Sequence, residues 1–180
     1  MELTTERLIL RGLEKADNRN LFKLFTENYV STYEEHIQIK SIADADDYIS
    51  FHVKNAVSDE RTHYYFTINL RESQEFAGLI GFAFVDDIIC GGVCGKIAEL
   101  EFFLLEEFQK KGYMPEALSK ILTFAFEVEN LVKIFAQCRK SNVNSEKVMI
   151  KCGMKKAAVQ PEPKTVYGIT EERVRYEIKA

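Results

Sequence analysis

The sequence has no glycine-rich dinucleotide fingerprint, no complete Walker-type phosphate loop, no paired-ligand metal motif and no apolar run long enough to span a membrane. Each absence removes a class of function. Without G-x-G-x-x-G after a strand, a dinucleotide fold has no signature. The segment 90–97 approaches a Walker loop only in Gly95-Lys96, with Cys90 in place of the first glycine and Ile97 in place of the metal-binding hydroxyl, so it reads as a tight hairpin. The four cysteines, Cys90, Cys94, Cys138 and Cys152, are scattered and read as reduced residues of a core rather than as a disulfide framework. His36, His52 and His63 all lie far from Cys90 and Cys94 in sequence, and no metal site is expected. Basic residues show no excess: 24 Lys and Arg stand against 28 Asp and Glu, for a net charge of −4. That balance argues against nucleic acid or an anionic membrane as partner. The opening MELTTERLILRG is interrupted by Arg7 and Arg11, which fits neither a signal peptide nor an anchor, and a cytoplasmic location is expected. No repeat, linker or low-complexity tract divides the 180 residues, so 1–180 reads as one α+β domain.

What is present centres on residues 98–129. An apolar strand over 100–105 runs into a charged loop, Gln109-Lys110-Lys111-Gly112-Tyr113-Met114, and then into a helix opened by Pro115 and Glu116. The first N–H groups of a helix have no internal partner and sit at the positive end of its dipole, so this order can hold an anion. Gly112 lets the backbone approach closely, and Pro115 suits the first helical position. Leu118, Ile121, Leu122, Ala125 and Val128 recur at helical spacing as one apolar face.

Elsewhere the pattern predicts a strand at 8–10 and a helix capped by Asp17 that carries Leu21, Phe22, Leu24 and Phe25. A polar, aromatic loop is expected over 28–38, and a second helix from about Ile42 presenting Tyr48, Ile49, Phe51, His52 and Val53. Strands over 64–70 and 76–85, with turns at Asp86-Asp87 and Gly91-Gly92, lead into the central strand as three consecutive antiparallel strands. A buried strand at 131–138 precedes a helix that begins around 141–145, holds Val148, Met149 and Ile150, and stops at Gly153. Closing strands are expected at 166–169 and 173–178, with Pro161 and Pro163 in the loop before them.

Gln109-x-x-Gly112-x-Met114 between a strand and a helix resembles the acyl-CoA loop of the GNAT superfamily of N-acetyltransferases. Three further segments are similar to its RimJ/RimL-like branch, in order: Thr5-Glu6-Arg7-Leu8-Ile9-Leu10-Arg11, Ala98-Glu99-Leu100, and Asn142-x-x-Ser145 followed by Lys151-Cys152-Gly153-Met154. The resemblance implies a mixed, mostly antiparallel sheet flanked by helices, acetyl-CoA as co-substrate, no metal, and an amine acceptor with a homodimer left open. It also implies that the loop amides of Gln109, Lys110, Lys111, Gly112, Tyr113 and Met114 hold the pyrophosphate, and that pantetheine pairs with the strand around Phe103 and Leu104.

The acceptor amine is protonated at neutral pH and must lose that proton before it attacks. The resemblance places Glu99 where the family often has a carboxylate for this step, with Glu101 on the same strand face as the alternative. Where many members have a tyrosine, this chain has Met149. The resemblance then makes Ser145 the donor to the leaving thiolate and Asn142 a cofactor contact, while helix capping by Asn144 or Ser145 is the plainer reading. Met114 departs from the small residue usual in the loop. Cys152 stands at a helix C-terminus, where the dipole disfavours a thiolate, so direct transfer is expected. Tyr29, Tyr33, Phe51, Tyr64, Tyr65 and Phe66 are either core or acceptor pocket. An acyl-CoA sensor without chemistry is the competing reading.

Overall fold

The computed structural model describes residues 1–34, 37–85, 95–161 and 172–180. Cys90, Cys94, His36, Pro163, the turns at 86–87 and 91–92 and the strand expected at 166–169 lie outside them. Two compact units emerge, one comprising residues 1–83 and 101–121, the other 84–100 and 122–180.

In the first unit β1 (Glu2–Thr4), β2 (Leu8–Gly12), β3 (His63–Leu70) and β4 (Phe76–Val85) follow one another as antiparallel neighbours, with Leu3 opposite Leu10, Leu10 opposite Ile68 and Tyr64 opposite Phe82. β3 and β4 are buried along nearly their whole lengths, as strands covered on both faces must be. The turn between them closes through Leu70 N–H to the Glu75 carbonyl at 2.9 Å. The helices are α1 (Asn18–Thr26), α2 (Asn28–Tyr33) and α3 (Ile42–Ala56). Leu21, Leu24 and Phe25 of α1 are buried, and the Phe25 ring meets Tyr48 of α3 edge-on at 5.4 Å. Ser41 caps α3 by accepting the Asp44 N–H. Asp17 occupies the N-cap of α1, but its carboxylate serves Arg11 and the Glu14 N–H instead of a helix amide. The 28–38 segment is not all loop. Residues 28–33 form a helix, one too short for its period to show in sequence.

β5 (Ile97–Leu104) passes from the second unit into the first, and α4 (Tyr113–Glu127) from the first into the second. The helix begins two residues earlier than its proline suggests. Pro115 is its third residue, still within the turn whose N–H groups lack internal partners. Leu118, Ile121, Leu122 and Ala125 are buried, whereas Val128 lies past the helix end and is 59% exposed. In the second unit β5 pairs in parallel with β6 (Lys133–Arg139), and β6 is antiparallel to β8 (Glu172–Lys179). β7 (Lys155–Pro161), a strand the pattern does not announce, is antiparallel to β8 and contains Pro161. α5 (Val143–Lys151) ends as expected at Gly153, in the left-handed region at φ +83°. Among the described residues no helix is long and apolar enough to cross a membrane.

Gly78 marks the tightest approach in the first unit. A Cβ there would collide with the Phe103 carbonyl and crowd the Leu104 backbone. Overpacking of this kind costs about 1–3 kcal/mol, and because the obstacle is backbone, Gly78→Ala is expected at the upper end of that range. Urea denaturation reads the loss, and an unchanged midpoint would show that the two strands separate freely.

Candidate functional site

The loop after β5 is built by short-range bonds. Leu105 N–H reaches the Ala77 carbonyl at 2.9 Å, a single 3-10 turn covers residues Glu106–Phe108, and the Gln109 N–H closes on the Glu106 carbonyl at 3.1 Å. The Gln109 side chain turns back and donates to the Leu104 carbonyl at 3.2 Å, an oxygen that also accepts the Tyr29 hydroxyl at 2.6 Å. Both lone pairs of that carbonyl are thereby used. Burial, reinforced by the Glu27 charge, raises the Tyr29 pKa far enough that the hydroxyl stays a donor. Phe103 and Leu104 are themselves buried.

Beyond Gln109 the amides of residues 110–114 make no hydrogen bond among the described residues. Pro115 has none to offer, and the Glu116 N–H goes to the Gly112 carbonyl at 3.3 Å. Lys110 and Gly112 both adopt positive φ, +61° and +83°, which turns the chain sharply ahead of α4. Lys110 and Lys111 are exposed, with Lys111 Nζ 5.3 Å from the Phe108 ring. Met114 is buried and turned into the core, so it does not narrow the loop.

The loop is held from the N-terminus. Arg7 donates through Nη1 to the Lys111 carbonyl at 3.1 Å and through Nε to Glu116 Oε2 at 2.7 Å, while its guanidinium covers the Tyr113 ring at 4.8 Å. The Arg7 N–H and the Thr5 hydroxyl both reach Glu116 Oε1. Burial alone would raise the Glu116 pKa; the bonds from Thr5 and Arg7 and the Arg7 charge outweigh it and hold the carboxyl below its ordinary value.

In the second unit Glu99 stands opposite Phe135 of β6, and its Oε1 accepts the Gln137 amide at 2.9 Å. Its Oε2 carries no hydrogen bond among the described residues. Neither Asn144 nor Ser145 caps α5. Asn142 does, its Oδ1 taking the Ser145 N–H at 3.1 Å, because that residue alone precedes the first helical turn. The cap leaves the Ser145 hydroxyl without a bond among the described residues. Met149 is wholly buried, Cys138 is a buried thiol that donates to the Asn142 carbonyl at 3.9 Å, and the half-buried Cys152 follows the helix end, neither of them in a disulfide. Next to Ser145, Glu146 accepts the Tyr176 hydroxyl at 2.5 Å, and burial followed by that bond pushes the tyrosine up to about 12. Gln137 and Tyr176 have no signature in sequence, since only strand pairing brings Gln137 to Glu99 and only the packing of α5 brings Glu146 to Tyr176.

Glu101, in the first unit, receives the Tyr65 hydroxyl at 2.6 Å. Of the aromatic candidates, Tyr64 and Phe66 are core, while Tyr65 between them faces the other way. Phe51 is 62% exposed and stacks on His63 at 5.1 Å. His52 packs within 4.2 Å of the Tyr48 ring, 4.4 Å of Tyr65 and 4.6 Å of His63. Its Nδ1 is buried without a partner among the described residues. Burial, followed by the neighbouring His63, lowers the His52 pKa to about 3; burial and Arg61 lower that of His63. Among the described residues no group of three or more His, Cys, Asp or Glu is placed to hold a metal.

The family model described as "Acetyltransferase (GNAT) domain" matches residues 7–155. The "Uncharacterized N-acetyltransferase YoaA" of Bacillus subtilis (strain 168) is 26% identical over 180 aligned residues, covering 95% of this chain and 97% of that protein. Among solved structures, the RimL ribosomal L7/L12 alpha-N-protein acetyltransferase in complex with coenzyme A aligns at a TM-score of 0.84 and 16% identity, over 99% of this chain and 98% of that one. The spermidine N-acetyltransferase of Vibrio cholerae, with CoA and spermine, aligns at 0.79 and 19%, over 97% and 96%. These structures share the fold, a mixed and mostly antiparallel sheet flanked by helices.

The His52 environment sets an acid limit on stability. Above about pH 6.5 the ring is neutral folded or unfolded and contributes no pH dependence. From there down to about 3 the unfolded chain binds a proton that the folded chain refuses, and stability falls by about 1.4 kcal/mol per pH unit. His52→Leu is expected to remove roughly one proton from the pH slope between 4 and 6 in urea titrations, and an unaltered slope would place the effect elsewhere.

Proposed function

The chain belongs to the acetyltransferase (GNAT) family, and from that membership we propose that it moves an acetyl group from acetyl-CoA directly to a primary amine, as a RimJ/RimL-like enzyme of the cytoplasm whose residues 1–180 work as one domain. The observation that carries the reading is the run of amides over 110–114, unpartnered among the described residues, which leads into the first turn of a 15-residue helix and is braced by Arg7 and Glu116. Several backbone donors converging at the positive end of a helix fit a pyrophosphate. Tyr113 and Met114 contribute backbone only, and Lys110 and Lys111 add exposed positive charge. With Leu104 O occupied, pantetheine pairing falls to the neighbouring peptide groups around Phe103.

Acetyl-CoA, when bound, supplies a thioester activated toward amines. Glu99 takes the proton that the ammonium must lose, through Oε2, while Gln137 steadies Oε1. Glu101, held by Tyr65, keeps a second negative charge on the same face of β5 and favours a cation there. As nitrogen bonds to the acetyl carbon and the carbon–sulfur bond breaks, the nitrogen gives up its second proton to the departing sulfur, which the Ser145 hydroxyl steadies with a hydrogen bond. Asn142 orients Ser145 through its amide, which adds a positioning role to the cofactor contact assigned to it. The names of the solved relatives, which include ribosomal-protein and spermidine acetyltransferases, support an amine acceptor without choosing among amines. A sensor without chemistry has no observation in its favour, since Met114 and Met149, the departures that suggested it, are both core residues.

A thiol-release assay with acetyl-CoA and a panel of amines tests the reading. A positioned base contributes about 10²–10⁴-fold. Glu99→Gln is therefore expected to lower kcat by at least 100-fold at neutral pH with acetyl-CoA affinity unchanged, and Ser145→Ala to lower it less. Gly112→Asp, folded but forced to carry a side chain at φ +83°, is expected to lose acetyl-CoA binding in calorimetry. Full turnover by Glu99→Gln would remove Glu99 from the mechanism, and wild-type protein that folds yet binds no acetyl-CoA would end the whole reading.

A further inference from the structure

α5 supplies two residues that the mechanism uses, Asn142 at its cap and Ser145 in its first turn, yet little apolar surface seats it. Met149 is its one buried side chain, while Val143 and Ile150 are 47% and 54% exposed. A nine-residue helix resting on one flexible thioether has no packing of its own to fix its first turn. Reacting groups must be held closely, because a misplacement of about 1 Å can cost about 10²-fold in rate. Polar ties from two neighbouring strands of the second unit supply what packing does not. Cys138 of β6 donates through Sγ to the Asn142 carbonyl at 3.9 Å, an oxygen that also accepts the Glu146 N–H at 3.2 Å. A thiol is a weak donor, so this is the lesser tie. Tyr176 of β8 donates its hydroxyl to Glu146 Oε1 at 2.5 Å. Its ring is buried and stands opposite Ala136, whose small side chain leaves it room; Cys138, two residues along β6, shares that face. Both ties therefore reach α5 from one side of the sheet. Burial and the Glu146 carboxylate push the Tyr176 pKa up to about 12, so the hydroxyl remains a donor at neutral pH. A hydrogen bond to an ionised carboxylate is roughly twice as strong as one between neutral groups. The helix dipole alone favours an acidic residue in a first turn, but it sets no direction for the side chain, whereas Tyr176 does.

We propose that Tyr176 is a positioning residue for acetyl transfer: through Glu146 it fixes the first turn of α5 and so holds the Ser145 hydroxyl where the departing sulfur needs a donor. The proposal rests on the role given to Ser145 above and adds to it a residue that touches neither substrate nor cofactor. Asn142 and Glu146, the two residues tied to the strands, flank Ser145, and the Asn142 side chain takes the Ser145 N–H at 3.1 Å. The backbone of Ser145 is thereby held from both sides, and its hydroxyl inherits that placement.

A double-mutant cycle tests this, read by thiol release with acetyl-CoA and the amine of the panel that turns over fastest. Tyr176→Phe removes one oxygen and keeps the ring. It is expected to lower kcat about 10-fold, within the cost of a small misplacement, with the amine KM unchanged. Glu146→Ala is expected to match that loss, and the two changes together to cost no more than either. In a Ser145→Ala background Tyr176→Phe is expected to cost less than about 2-fold, because no hydroxyl is left to misplace, whereas independent effects would add. Amide hydrogen exchange reads the placement without turnover. In Tyr176→Phe the Ser145 N–H is expected to exchange about 10-fold faster, while the Cys152 N–H, bonded to the Val148 carbonyl at the far end of the helix, keeps its rate. An unchanged kcat in Tyr176→Phe, the same 10-fold loss repeated in the Ser145→Ala background, or Ser145 and Cys152 amides quickening together would overturn the proposal. Wild-type protein that turns over no amine, or Ser145→Ala at full rate, would instead strike the catalytic reading of Ser145, and the amide exchange then decides by itself whether Tyr176 fixes the turn.

Discussion

One carboxylate organises the loop that opens α4. Glu116, in the first turn of α4, accepts from the Thr5 hydroxyl, the Arg7 N–H and the Arg7 guanidinium, and Arg7 goes on to the Lys111 carbonyl. A lone surface ion pair contributes little, because two mobile side chains must be ordered for a screened attraction. Here the acceptor is 82% shielded at its side chain and receives several donors, two from the same arginine, so the geometry is over-determined. The start of the chain is thereby tied to the loop more than 100 positions later. A loop in left-handed conformations at Lys110 and Gly112 keeps its shape because something outside it pays for the strain.

β5 divides its labour by residue. Its side chains Glu99 and Glu101 carry negative charge, each steadied by a neutral donor, Gln137 for one and Tyr65 for the other. Its end is a backbone device, where the Leu104 carbonyl collects Tyr29 and Gln109 and so joins α2 to the loop. Neutral donors suit this role. A lysine or arginine in their place would cancel the negative charge.

Much of this was legible in residue order. The run from Gln109 to Glu116 announces a loop that opens a helix, because Gly and Pro act through local backbone preferences. The Thr5 to Arg11 segment was readable as a resemblance, but not as the anchor of that loop, since no local pattern pairs Arg7 with Glu116. α2 escaped because six residues hold too little period, and β7 because Lys155 and Lys156 carry no apolar alternation. Asn142 instead of Asn144 or Ser145 as the cap turned on where the chain bends, a choice among adjacent polar residues that propensity does not make.

The sequence by itself determined the family, the place of the loop that opens α4 and the carboxylates of the central strand, since these depend on residue type and short spacing. Only the tertiary structure decided what each side chain faces. It sent Met114 and Met149 into the core, gave Tyr65 to Glu101, and brought His52 against His63 in a hollow that favours the neutral ring. Such outcomes come from contacts between residues distant in the chain, where burial and the nearest charge, not local propensity, set the chemistry.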